Sequence, residues 1–235
     1  LAEQLLLRGY LQETQQCLER ISENYQNNAA VFWGWFYFLK GDNNKAIECY
    51  TIALKHLKKT NNKKKAYFNT IAGLFFILTL LKDGSPHRIR EAEGYCSLIS
   101  AQSDHWLRST YEQLKILLQV QQGNIAQKEF ILSNDIPILK RQHSLETFFS
   151  ALCFYWIDET EAKKYLPWIL EPVLNQAVAS EYHWLAMETA ELLSRLKPQS
   201  NYGTQAEILQ KDTGIESIVD LIRHQEPWVL SLYSL

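Results

Sequence analysis

The chain is expected to be all-α, built as an array of antiparallel helical hairpins. Three observations lead there. Glycine and proline are sparse, at 9 and 6 of 235 residues, and no alternating apolar pattern with Asn-Gly turns recurs. Residues 31–54 read as one apolar helix, a tight turn at Lys40-Gly41-Asp42, and a second helix. Finally, Gly9, Thr14, Leu18 and Ile21 repeat the spacing of Gly41, Ala46, Tyr50 and Ala53, offset by 32 residues throughout. A fixed period in the low thirties marks stacked helical repeats.

Taken in order, residues 2–7 close a first helix, Gly9-Tyr10 turns the chain, and residues 13–21 form its partner. In the 31–54 hairpin, the small residues Gly34, Ala46 and Ala53 fall where the two helices touch, and the rings of Tyr37 and Tyr50 fill the space between them. Residues 66–81 make a long apolar helix that Gly84-Ser85-Pro86 ends, with residues 89–99 as its partner. Residues 106–120 and 125–132 form the next pair around a turn at Gln122-Gly123-Asn124. After a break at 134–137, helices are expected over 145–157 and 182–196. Between them Thr160 caps a helix that Pro167 and Pro172 kink or split. Residues 197–203 read as a linker, followed by a helix at 206–210 and a short amphipathic segment at 215–222. The reading is about five hairpins and a C-terminal cap. It divides into repeats over 1–134, degenerate helical repeats over 135–197, and a linker with capping helices over 198–235.

Gly34, Tyr37, Gly41, Ala46, Tyr50 and Ala53 resemble, in order and spacing, the signature of one tetratricopeptide repeat. Two positions depart from it: Ala30 stands where the family often has Trp, and Lys58 lies near the place of its closing Pro. The resemblance implies a right-handed solenoid with a concave binding surface. A second resemblance lies in Asp220-Leu221-Ile222-Arg223-His224-Gln225-Glu226-Pro227-Trp228 with Leu230 and Leu232, which is similar to a helical region of large bacterial Swi/Snf-type helicases. It implies an accessory region of a DNA-dependent ATPase whose motor motifs lie elsewhere in the parent chain. The sequence opens at Leu1 in mid-helix pattern, so a fragment of a larger protein is expected.

Composition narrows the function classes. Net charge is −2, but residues 1–120 carry 15 Lys/Arg against 11 Asp/Glu, and residues 121–235 carry 9 against 15. Cys17, Cys49, Cys96 and Cys153 are far apart, each within an apolar helical pattern, which fits free thiols in a reducing, cytoplasmic compartment. No apolar run is long enough to span a bilayer. There is no phosphate-binding glycine motif, no Gly-x-Ser-x-Gly elbow, and no His or Cys pair at helical metal-ligand spacing. The carboxylates at Glu91 and Glu93, and at Asp158, Glu159 and Glu161, suit helix starts better than acid–base chemistry. No catalytic residue, cofactor or metal is therefore expected.

Two candidate sites remain. Six of the seven residues from Phe32 to Phe38 are aromatic. Such a helix is either buried all round or lines a groove, in which Phe32, Trp33, Trp35, Phe38 and Leu39 would hold a partner helix or peptide. Lys58, Lys59, Lys63, Lys64 and Lys65 form the one dense basic cluster, either a solvated turn or a contact to a nucleic-acid backbone. The leading expectation is a non-catalytic protein-interaction scaffold, binding a protein, a peptide or other domains of its own parent. The alternative is the helicase accessory domain.

Overall fold

The computed structural model describes residues 1–59, 71–100, 107–122 and 143–222. Among them lie eleven helices and no strand: α1 (Ala2–Arg8), α2 (Leu11–Leu39), α3 (Asn43–Lys59), α4 (Ile71–Asp83), α5 (Pro86–Ser100), α6 (Arg108–Gln121), α7 (Ser144–Ile157), α8 (Glu159–Tyr165), α9 (Pro167–Ala179), α10 (His183–Leu196) and α11 (Tyr202–Thr213). The all-α expectation holds. No helix among the described residues is long and apolar enough to cross a membrane.

The first departure from the sequence reading is α2. Residues 13–21 and 31–39 were expected as two helices with a turn between repeats, but they are parts of one continuous helix of 29 residues. The physical reason is the absence of a strong breaker. Residues 22–30 contain neither Gly nor Pro, and they end in Ala29 and Ala30, both good helix formers and both buried. At its other end α2 stops at Gly41, which adopts φ 80° and lies beneath the Glu216 side chain. A side chain at position 41 would meet both a left-handed backbone and that carboxylate.

The α2–α3 hairpin packs as the small residues predict. Gly34 faces the ring of Tyr50, and Ala46, Tyr50 and Ala53 are buried beneath α2. The Tyr50 hydroxyl donates to the Ala72 carbonyl at 3.2 Å, and its ring lies 4.9 Å from that of Phe76, so α4 holds it from behind. A methyl group at position 34 would lie 2.8 Å from the Tyr50 ring. Gly34→Ala is therefore expected to destabilise the fold by about 1–2 kcal/mol, overpacking outweighing the gain in helix propensity. Gly94→Ala in α5, where nothing lies within 4 Å, is expected to stabilise by roughly 0.5–1 kcal/mol. Urea titration of the two variants separates the effects.

Tyr37 is placed differently from its expected role as filler between the helices. It is half-buried on the outer side of α2. In the second half of the chain, Asp158 rather than Thr160 caps α8, its carboxylate accepting the Glu161 N–H at 3.0 Å. Pro167 opens α9 and so splits the helix there, while Pro172 is accommodated inside α9. The 197–203 stretch is not a linker. Residues 197–201 form a short turn and 202–203 open α11, which folds back along α10; the Tyr202 hydroxyl and Lys197 Nζ each lie 3.0 Å from Glu171 Oε1. The helices expected over 125–132 and 66–70 lie outside the described residues.

The elements close on one another. α1 packs against α10, and residues 215–222 cross back to the ends of α2 and α4. Phe75 of α4 is the hub. Its ring is stacked on Trp35 at 4.5 Å and lies edge-on to Phe38 at 5.7 Å, Trp184 at 5.3 Å and Phe149 at 6.3 Å. Residues from α2, α4, α7 and α10 thus share one aromatic core, and the buried apolar cluster runs without interruption from Ala2 to Ile222. A strictly linear stack has contacts only between successive repeats. The contact of α1 with α10 adds one between elements far apart in the chain.

Candidate functional site

The five aromatic-run candidates do not share one accessible face. Trp35, Phe38 and Leu39 are buried, Trp35 and Leu39 completely, and the two rings belong to the Phe75 cluster. Trp33 and Tyr37 are half-buried on the outward side of α2, although Tyr37 was expected in the interior, whereas Phe32, also half-buried, lies in line with the buried Phe36. Helical geometry joins Trp33 with Tyr37 and Phe32 with Phe36, because residues four apart share a face. Trp33 and Tyr37 stack with centroids 5.6 Å apart and planes 24° from parallel. The Trp33 indole N–H donates to Ser22 Oγ at 2.9 Å, three turns back along the same helix, and Phe36 supports the ring edge-on from below at 5.3 Å.

Two lysines border this face. Lys40 lies 5.5 Å from the Phe36 centroid and Lys45 5.4 Å from that of Tyr37, with Lys45 also paired to Asp42 at 2.8 Å. Two partly buried aromatic rings are thus held near parallel, with ammonium groups at their edge. The basic cluster falls elsewhere. Lys58 and Lys59 end α3, and Lys63, Lys64 and Lys65 lie outside the described residues.

The carboxylates singled out from sequence have structural work. Glu91 pairs with Arg88 at 3.0 Å, Asp158 caps α8, and Glu159 and Glu161 bridge to Lys163 and Lys164. Among the described residues no group of His, Cys, Asp and Glu is placed to hold a metal ion. All four cysteines are free thiols; burial raises the Cys49 thiol to about 11 and those of Cys96 and Cys153 higher still, so these three stay protonated.

One carboxylate escaped the sequence reading. Glu188 is fully buried in α10. Its oxygens accept the Ser217 hydroxyl at 2.8 Å and the Ile218 N–H at 3.1 Å. Burial raises this carboxyl to about 8, against the opposing pull of those two donors. The signal was a single Glu within the otherwise uncharged run from Trp184 to Ala190. Around it, the 215–222 strap is tied by Trp156 Nε1 to the Val219 carbonyl (2.7 Å), Arg195 to Asp220 (2.7 Å), Lys82 to Glu216 (2.9 Å), and the Glu216 N–H to the Leu39 carbonyl (2.9 Å).

The described residues also enclose a cleft of about 470 Å³, where the N-terminus of α7 meets α1, the end of α9 and the start of α10. Leu145, Ala177, Trp184 and Leu185 form an apolar floor, and Gln4, His143, Gln176 and Ser180 stand at the exposed rim. Glu146 lines one wall. Burial raises its carboxyl above the usual range, opposed by a hydrogen bond with the Ser109 side chain. Sequence reasoning missed this place altogether, since its walls come from four separate stretches of chain.

No family model, no curated protein and no solved structure matches the chain.

Proposed function

We propose that this chain is a non-catalytic interaction module of a larger protein, and that its partner surface is the outward face of α2 around Trp33 and Tyr37. The observation that carries the reading is the near-parallel, partly buried pair Trp33–Tyr37, anchored by Ser22 and bordered by Lys40 and Lys45. Large rings fixed by neighbours lose little side-chain entropy on binding, which is why aromatic residues dominate interface energetics. In this reading the α2–α3 hairpin is a tetratricopeptide-type unit of a right-handed array. The Gly34–Tyr50 contact and the buried Ala46 and Ala53 support that assignment. The partner is a protein segment, on the same parent chain or another, that offers apolar side chains flanked by Asp or Glu.

The test places a photo-crosslinking phenylalanine analogue at Tyr37 in the intact parent protein, with exposed Gln12 as the control position. A discrete cross-linked product is expected from position 37 and not from position 12. Trp33→Ala is expected to weaken the identified interaction about 30-fold or more, as truncation of a central aromatic contact does. Equal labelling from both positions, or an interaction indifferent to Trp33→Ala, overturns the assignment.

A further inference from the structure

From the cleft between α1, α7, α9 and α10 we infer a second binding site, one that takes a small organic amine: an apolar or aromatic body carrying a single ammonium group. Three features of the walls select that chemistry. The volume, about 470 Å³, lies within the range of small-molecule sites. The floor is apolar and nearly closed to solvent, with Trp184 fully buried and Leu145, Ala177 and Leu185 between 2% and 6% exposed. Against it stands one carboxylate, Glu146. Among the described residues no lysine or arginine lines the cleft, and Glu146 has no ion-pair partner there, its one side-chain contact being the hydrogen bond with Ser109.

The alternatives in charge are disfavoured by the same groups. An anion would face the Glu146 carboxylate at close range. At the start of α7 the Leu145 N–H is already taken by His143 Nδ1 at 3.4 Å, and Glu146 itself stands in the first turn, where its charge opposes the positive end of the helix. A wholly apolar molecule would fill the floor but leave the half-buried carboxylate beside it without a countercharge. An ammonium group meets Glu146 and the rim acceptors while its body covers Leu145 and Leu185, the accessible part of the floor above Trp184. This site shares no residue with the α2 face, so its fate is independent of the scaffold reading.

The experiment uses three probes with one indole body: tryptamine, tryptophol and indole-3-acetate. They are titrated into the 235-residue chain by calorimetry, with saturation-transfer NMR for the weakest. Tryptamine is expected to bind about ten-fold or more tightly than tryptophol, the gain of one charge-assisted hydrogen bond, and indole-3-acetate most weakly. Glu146→Gln is expected to abolish the preference for tryptamine while leaving tryptophol binding within about two-fold. Ser180→Trp, a substitution at the exposed rim, is expected to reduce binding of every probe that the unaltered chain takes up. Equal affinity for all three probes, no binding of tryptamine at millimolar concentration, a preference that survives Glu146→Gln, or tryptamine binding unchanged by Ser180→Trp overturns the site. If Glu146→Gln fails to fold, as judged by circular dichroism, the probe series on the unaltered chain and the Ser180→Trp variant still decide the matter.

Discussion

Phe75→Ala is expected to cost about 3–5 kcal/mol, a large part of the stability of a domain this size. Phe75 is completely buried, and its ring touches aromatic side chains from three other helices, α2, α7 and α10. The truncation removes the transfer energy of a whole ring. It also leaves a hole that Trp35 and Trp184 are too rigidly placed to fill. The form of the transition matters as much as its midpoint. In a linear stack, loss of one ring loosens adjacent repeats, and the remainder unfolds separately. Here the ring joins residues as distant in sequence as 35 and 184, so unfolding in urea is expected to remain one transition, with tryptophan fluorescence and circular dichroism coinciding. Val178→Ala, at a position 49% exposed, is expected to change stability by less than about 0.5 kcal/mol. A Phe75→Ala loss near that of Val178→Ala, or two separated transitions, would contradict the hub.

The sequence states where helices turn more clearly than which helices meet. Gly41, Gly84 and Pro167 act locally on the backbone, so the boundaries beside them were readable. The continuity of α2 was not, because residues 22–28 are polar and rich in Asn, which suggests a turn but does not force one. The outward side of an all-aromatic helix is equally hidden. Trp33 and Tyr37 differ from Trp35 and Phe38 in position around the helix, and only the neighbours in α3 and α4 decide which position is covered. The contact of α1 with α10 and the cleft beside it depend on residues more than a hundred apart. Periodicity describes one helix at a time and carries no such information.

Glu188 gives the second large effect, and its sign follows from its burial. Its carboxyl titrates near 8 in the folded chain and at the ordinary value of 4.5 in the unfolded one. Between those values the folded state holds a proton that the unfolded state has released, so stability falls as pH rises through this window. The contribution is complete below about pH 4.5 and lost above about pH 8, with a slope approaching about 1.4 kcal/mol per pH unit between them. Glu188→Gln keeps an acceptor for Ser217 and Ile218 but cannot ionise. Its stability is therefore expected to exceed that of the unaltered chain increasingly from pH 5 to about pH 8 and to level off above it, other titrating groups cancelling in the difference. Glu188→Ala is expected to do the opposite and cost about 2–4 kcal/mol at pH 5, because it leaves a cavity and strips the Ile218 N–H of its acceptor. That loss centres on the strap that joins α10 to the ends of α2, α4 and α7, so amide exchange at Ile218 and Val219 should accelerate more than exchange in α5. Urea titrations at half-unit pH steps on the three proteins test the pair. Parallel pH profiles for the unaltered chain and Glu188→Gln would show that Glu188 is ionised throughout, its buried charge held by the donors around it.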